Sequence, residues 1–140
     1  MKKTGMLIVL LLAAASLSAQ STAKHVRRIY VDELHFPSHP ELDASVRSKL
    51  ISSLAQDCAS SCTVVEGGED TADAVLTGSL LIQTSDNQQY RVQGTMRLVD
   101  KNGTVIWAAM VYSSAPAQSI AANFADYTAK KLTAFLAEHQ

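Results

Sequence analysis

Between Tyr90 and Leu98 every second residue is apolar or small: Tyr90, Val92, Gly94, Met96 and Leu98. The residues between them, Arg91, Gln93, Thr95 and Arg97, are polar. A period of two places these sets on opposite sides of an extended chain, one buried and one wetted. A helix would scatter the same residues around its circumference, so this stretch is predicted to be a strand. Downstream, Val105 to Tyr112 (VIWAAMVY) is apolar at nearly every position and rich in β-formers. That composition predicts a strand covered on both faces or deep in a sheet. Asp100-Lys101-Asn102-Gly103 joins the two, and Asn-Gly suits a type I′ hairpin, whose central residues both need positive φ. Upstream, Ala72 to Thr84 (ADAVLTGSLLIQT) precedes the turn-rich Ser85-Asp86-Asn87. The three segments form a predicted antiparallel meander around which the rest of the chain is organised.

The flanks supply two helices and two further strands. Val26 to Leu34 (VRRIYVDEL) has the β-branched and aromatic content of a first strand, central or next to central. His35 to Pro40 follows as a loop held away from helix by Pro37 and Pro40. A helix is predicted from Pro40 or Glu41 to about Asp57, with Leu42, Val46, Leu50, Ile51 and Leu54 in one stripe and Arg47, Lys49 and Gln56 toward water. Thr63 to Glu66 reads as a short strand ended by Gly67-Gly68, and Glu69 to Asp73 as a single helical turn. The last helix begins between Pro116 and Ser119 and runs almost to the end. Ile120, Phe124, Tyr127, Leu132, Phe135, Leu136 and the stem of Lys131 line one side of it. The expected fold class is α/β (α+β): a single mixed β-sheet of about five strands with two amphipathic helices, order β-α-β-β-β-β-α, the helices covering one face or both.

The N-terminus reads as an address. Lys2 and Lys3 precede an apolar run from Met6 to Ala15 and a small-residue exit at Leu17-Ser18-Ala19, the layout of a secretory signal peptide. The run falls well short of the ~20 residues a membrane span requires. Cleavage is expected between Ala19 and Gln20, and no cysteine follows to accept a lipid. The expected organisation is residues 1–19 signal peptide, 20–25 disordered lead-in and 26–138 a single α/β envelope domain. This implies a periplasmic or secreted protein of a Gram-negative bacterium, touching the membrane only through the signal peptide. Two of the 12 basic residues lie in that leader, against 13 acidic residues in the chain, and no basic cluster exceeds Arg27-Arg28. No nucleic-acid partner is implied.

Candidate chemistry is sparse. Cys58 and Cys62 are the only cysteines, four apart where the first helix should end. In an exported chain they favour a disulfide, with free or intermolecular thiols and redox or metal work as the alternatives. Helix geometry puts such a pair about 6 Å apart at Cα, in the upper part of what a bridge tolerates. The histidines are His25, His35, His39 and His139. His35 and His39 share a loop with Asp32 and Glu33 near by, but Pro37 prevents the helical spacing that would aim both rings at one metal. Surface histidines are the simpler reading. No nucleophile elbow, zinc-protease helix, phosphate loop or dinucleotide fingerprint occurs. The pairs Asp32-Glu33 and Glu69-Asp70 sit at element ends, where solvated carboxylates are ordinary. Trp107 is expected in the core unless it stands exposed beside Tyr112. No catalytic, cofactor or metal residue is assigned, and no cofactor is expected.

Several stretches together carry a resemblance: IYVDEL (Ile29 to Leu34), VRSKLISSL (Val46 to Leu54), TVVE, ADAVLTGSL (Ala72 to Leu80) and RLVDKNGTVIWAA (Arg97 to Ala109). In that order they resemble the periplasmic α/β domain of the curli-secretion channel lipoproteins (CsgG) and are similar to the N-terminal module of TolB. These motifs are core strands and a hairpin, so they imply fold rather than activity. The lipid-attachment cysteine and the membrane hairpins of the channel proteins are absent, so pore formation is not implied. The expectation is a non-enzymatic exported accessory domain with a protein-binding or assembly role, meeting an envelope partner or itself, with strand addition at an exposed sheet edge as the expected mode. The alternative is a small-molecule or glycan-binding protein, or a weak enzyme, using the His35 to His39 loop and Asp86-Asn87.

Overall fold

The computed structural model describes residues 26–139 apart from residues 59 and 86. The predicted signal peptide, its cleavage point at Ala19 and Gln20, the lead-in and His25 lie outside the described residues. In chain order the elements are β1 (Arg28–Val31), α1 (Glu41–Asp57), β2 (Thr63–Val65), a 3-10 turn (Glu69–Thr71), β3 (Ala74–Thr84), β4 (Gln89–Asp100), β5 (Val105–Pro116) and α2 (Ile120–Glu138). The five strands form one mixed sheet in the order β2-β1-β3-β4-β5. The short strands β2 and β1 run parallel to each other and to β3, while β3, β4 and β5 form an antiparallel meander. The expected class, element order and two helices are all present, and β1 lies next to the central strand.

The period of two in β4 translates directly into packing. Val92, Met96 and Leu98 are buried, while Arg91, Gln93 and Arg97 are exposed. Pairing carries the same sidedness to the neighbours: Leu76 stands opposite Leu98, Ile82 opposite Val92, and Val111 opposite Gly94. One core results, filled from the sheet by Ile29, Val31, Leu76, Met96 and Leu98. From the helices come Leu50 and Leu54 of α1 and Phe124, Leu132 and Leu136 of α2. Both helices lie on this one face and pack against each other. Small buried residues on α2, Ala121, Ala125, Thr128 and Ala129, let the pair approach closely, and Ser53 Oγ donates to Asp126 Oδ1 at 2.7 Å across the contact. Tyr127 and Lys131, expected on the inner stripe, are exposed, with Lys131 Nζ 5.1 Å from the Tyr127 ring centroid.

Two local expectations are corrected. β5 is not a doubly covered strand but the edge of the sheet, with alternating exposure along its length. A continuous apolar run reports low polarity and does not distinguish a buried strand from an edge. The hairpin at Asn102-Gly103 forms, but not as a type I′ turn: Gly103 has φ 81° while Asn102 is not in the positive-φ region. The Asp100 carboxylate holds the turn instead, Oδ1 accepting from the N–H groups of Asn102 and Thr104 at 2.9 Å each. A register shift follows at Leu98 and Val99. A left-handed glycine closing the turn belongs to the longer hairpin loops, in which one positive-φ residue suffices. Further along the meander, a Cβ on Gly94 would collide with the carbonyl oxygen of Ser79, so β3 and β4 approach there only because the side chain is missing.

Candidate functional site

Three regions bring polar or apolar groups together. The first is a cleft of about 470 Å³ along α1, lined by Glu33, Leu34, His35, Asp43, Arg47 and Glu66 among others. The β1–α1 loop places His35 over the helix start, where Nδ1 is 3.4 Å from Asp43 Oδ2 and Nε2 is 3.8 Å from Glu33 Oε2. Asp43 also accepts the Phe36 N–H at 2.8 Å, which ties the loop to the first turn of α1. Arg47 is committed to structure: Nε donates to the Val31 carbonyl at 2.9 Å, and the guanidinium lies 5.5 Å from the Tyr30 ring centroid. His35 is 71% exposed, so its ion pairs are solvated and weak.

The structure separates the two loop histidines rather than pairing them. His39 turns away to meet the Tyr90 ring edge-on at 5.2 Å. Among the described residues no three His, Cys, Asp or Glu side chains are grouped as metal ligands would be. Asp32 is a local cap, its Oδ1 accepting the Glu33 N–H at 2.9 Å. Glu69 and Asp70 are exposed in the 3-10 turn. His139 Nδ1 is 2.8 Å from the Phe135 carbonyl oxygen. Trp107 is half-buried against the core, on the opposite side of β5 from Tyr112, so the two form no aromatic platform.

The second region is an acidic hollow of about 580 Å³ at the start of β3 and the end of β4, lined by Asp32, Glu69, Asp70, Asp73, Asp100 and Lys101 among others. Three of its carboxylates are already used. Asp32 holds the Glu33 N–H, Asp100 caps the hairpin, and Asp73 Oδ2 accepts the N–H groups of Arg27 and Arg28 at 2.9 Å each. Its other oxygen lies 3.3 Å from the Arg28 guanidinium. Burial alone would raise the Asp73 pKa, but those hydrogen bonds and the Arg28 charge outweigh it and hold the carboxyl below its ordinary value.

The third region is the uncovered face of the meander. Met110 is 82% exposed, Tyr112 55% and Leu81 52%. Pairing aligns Leu81, Gln93 and Tyr112 in one row and Ser79, Thr95 and Met110 in the next. These residues, with Val111 of β5 and Tyr127 of α2, line a depression of about 530 Å³. Among the described residues β5 is an outer strand of the sheet, 12 residues long, without a charged side chain and with its one proline, Pro116, at the last position. Natural edges are ordinarily kept from pairing by charge, proline or brevity. The opposite edge, β2, meets that rule with only 3 residues. Sequence reasoning missed this region because the apolar run was read as covered. The absence of any charge in β5 was the available signal.

Cys58 and Cys62 form a disulfide, Cα atoms 5.2 Å apart, both buried. It ties the end of α1 to the start of β2 and fits an exported protein. Among the described residues no helix is long and apolar enough to cross a membrane.

No family profile and no curated protein matches the chain. Solved structures do. A point variant of the PelC dodecamer from Paraburkholderia phytofirmans is 18% identical, with a TM-score of 0.59 over 82% of this chain and 90% of that one. The PelC dodecamer from the same organism in another crystal form is 22% identical, with a TM-score of 0.56 over 77% and 87%. A crystal structure titled as an uncharacterized protein matches at 13% identity and 0.56 over 81% and 92%. These likenesses are of fold. They correct the resemblance to curli-secretion channels and TolB: the residues that suggested it are core strands and a hairpin, which any sheet of this topology needs.

Proposed function

We propose that this chain is a non-catalytic exported protein of the bacterial envelope that acts as a self-associating accessory subunit. The observation that carries the reading is the uncovered face of the meander with its uncharged 12-residue edge strand, where Met110, Tyr112 and Leu81 stand in water. Exposed apolar surface beside an uncharged edge strand is costly for a monomer and useful for an assembly. The dodecameric state of PelC, which shares the fold, supports the same direction. The Cys58–Cys62 disulfide and the leader-like N-terminus support export. The His35 cleft supports a ligand-binding role less well, because His35 is mostly solvated and His39 points at Tyr90. Light scattering on the purified chain from Gln20 onward, at tens of micromolar, tests the proposal. A mass of several protomers is expected, and a monomer across that range would overturn it.

A further inference from the structure

We infer that copies of this chain meet head to tail, the basic and apolar face beside β5 of one protomer seating against the acid-rimmed α1–β2 cleft of the next. This rests on the self-association reading and names its geometry. On the uncovered face Arg91 and Arg97 occupy the same side of β4 as Gln93 and Thr95, and so flank the rows that hold Tyr112 and Met110. Among the described residues neither guanidinium has a carboxylate partner. The cleft has the opposite character. Glu33, Asp43 and Glu66 surround an apolar floor that includes Leu34, Ala44 and Ile51. Its one arginine, Arg47, is held by the Val31 carbonyl and the Tyr30 ring. The cleft's volume of about 470 Å³ leaves room for a methionine or tyrosine side chain.

Position completes the argument. The two surfaces lie at opposite ends of the strand order β2-β1-β3-β4-β5, so one protomer cannot bring them together. A symmetric pairing of two β5 faces would set Arg91 and Arg97 against their own copies, which like charges oppose. A contact between two different patches on identical chains is heterologous, and closes into a ring when the rotation between neighbours permits. Charge complementarity between exposed groups also makes such an assembly sensitive to salt.

Charge reversal in two halves tests this. One protein carries Arg91→Glu with Arg97→Glu, the other Glu33→Arg with Glu66→Arg. All four positions are exposed, so both proteins should keep the wild-type melting curve. Alone, each sets like charges against like, and its association should weaken at least tenfold. Mixed in equal amounts they become complementary at every contact, and the wild-type mass should return as an alternating heteromer. Met110→Glu offers an independent variant that should also dissociate. Reversals that leave the wild-type mass unchanged, or a mixture that stays monomeric, would overturn the head-to-tail contact while self-association stands. A wild-type protein that is itself monomeric would overturn both.

Discussion

The two faces of the meander are built from the same three strands and both carry large apolar side chains, yet they do opposite things. On the covered face Leu76, Met96 and Leu98 are fully buried beneath α1 and α2. On the other face Leu81, Met110 and Tyr112 stand in solvent. Apolar area stabilises a protomer only when it leaves water on folding. The covered face therefore holds the fold together, and the open face contributes only when something else covers it. The comparison teaches that hydrophobicity along a strand reports burial in the working state of a protein, which need not be the isolated chain.

The strongest way to break this comparison is to truncate one residue on each face. Leu98→Ala should lower the unfolding free energy by about 2–5 kcal/mol in urea melts, through lost transfer energy and a residual cavity. Met110→Ala should change protomer stability by no more than about 0.5 kcal/mol while weakening association. Equal costs at the two sites would refute the division. Next in size, Gly94→Ala drives a Cβ into the Ser79 carbonyl and should cost about 1–3 kcal/mol, because β3 and β4 must part under the core. A melt matching wild type would show that the strands can separate there without penalty.

Asp73 offers a smaller, pH-dependent test at the parallel end of the sheet, away from the open face. Asp73→Ala leaves the N–H groups of Arg27 and Arg28 without their acceptor and should cost about 1 kcal/mol. Because the folded carboxyl titrates below its unfolded value, its contribution is complete above about pH 4. It is lost as pH falls through the folded pKa. Wild type should therefore lose stability in that acidic window more steeply than the variant, and parallel pH profiles would exclude the linkage. Smallest is Thr128 on α2, buried in the covered layer with its hydroxyl unpartnered among the described residues. Thr128→Val replaces that hydroxyl with a methyl group and should raise stability by up to about 1 kcal/mol in thermal melts. A loss instead would mean the hydroxyl has a partner in solution.

Much of the fold was legible before any coordinate. The alternation in β4 named its inner residues correctly because side chains on a strand must alternate. The stripe of Leu42, Val46, Leu50 and Leu54 marked the buried side of α1 for the analogous helical reason. The last helix was placed well, but Tyr127 and Lys131 were assigned inward because aromatic and long side chains weigh heavily in a pattern. The helix contact instead selects small residues such as Ala125 and Ala129. The hairpin's position was readable from Asn102-Gly103, whereas its geometry depends on the Asp100 carboxylate capturing two backbone N–H groups. The candidate site was the least legible part, since an apolar run looks alike at the centre and the edge of a sheet.

By itself, then, the amino-acid order determined what is local: where strands and helices begin, which side of each is apolar, and that Cys58 and Cys62 are close enough to join. Only the tertiary structure decided which strand would be left at the margin and which face of the meander would stay uncovered. Periodicity is written between residues a few positions apart. Strand order and helix placement are instead set by contacts between distant segments, whose free energies no single segment contains.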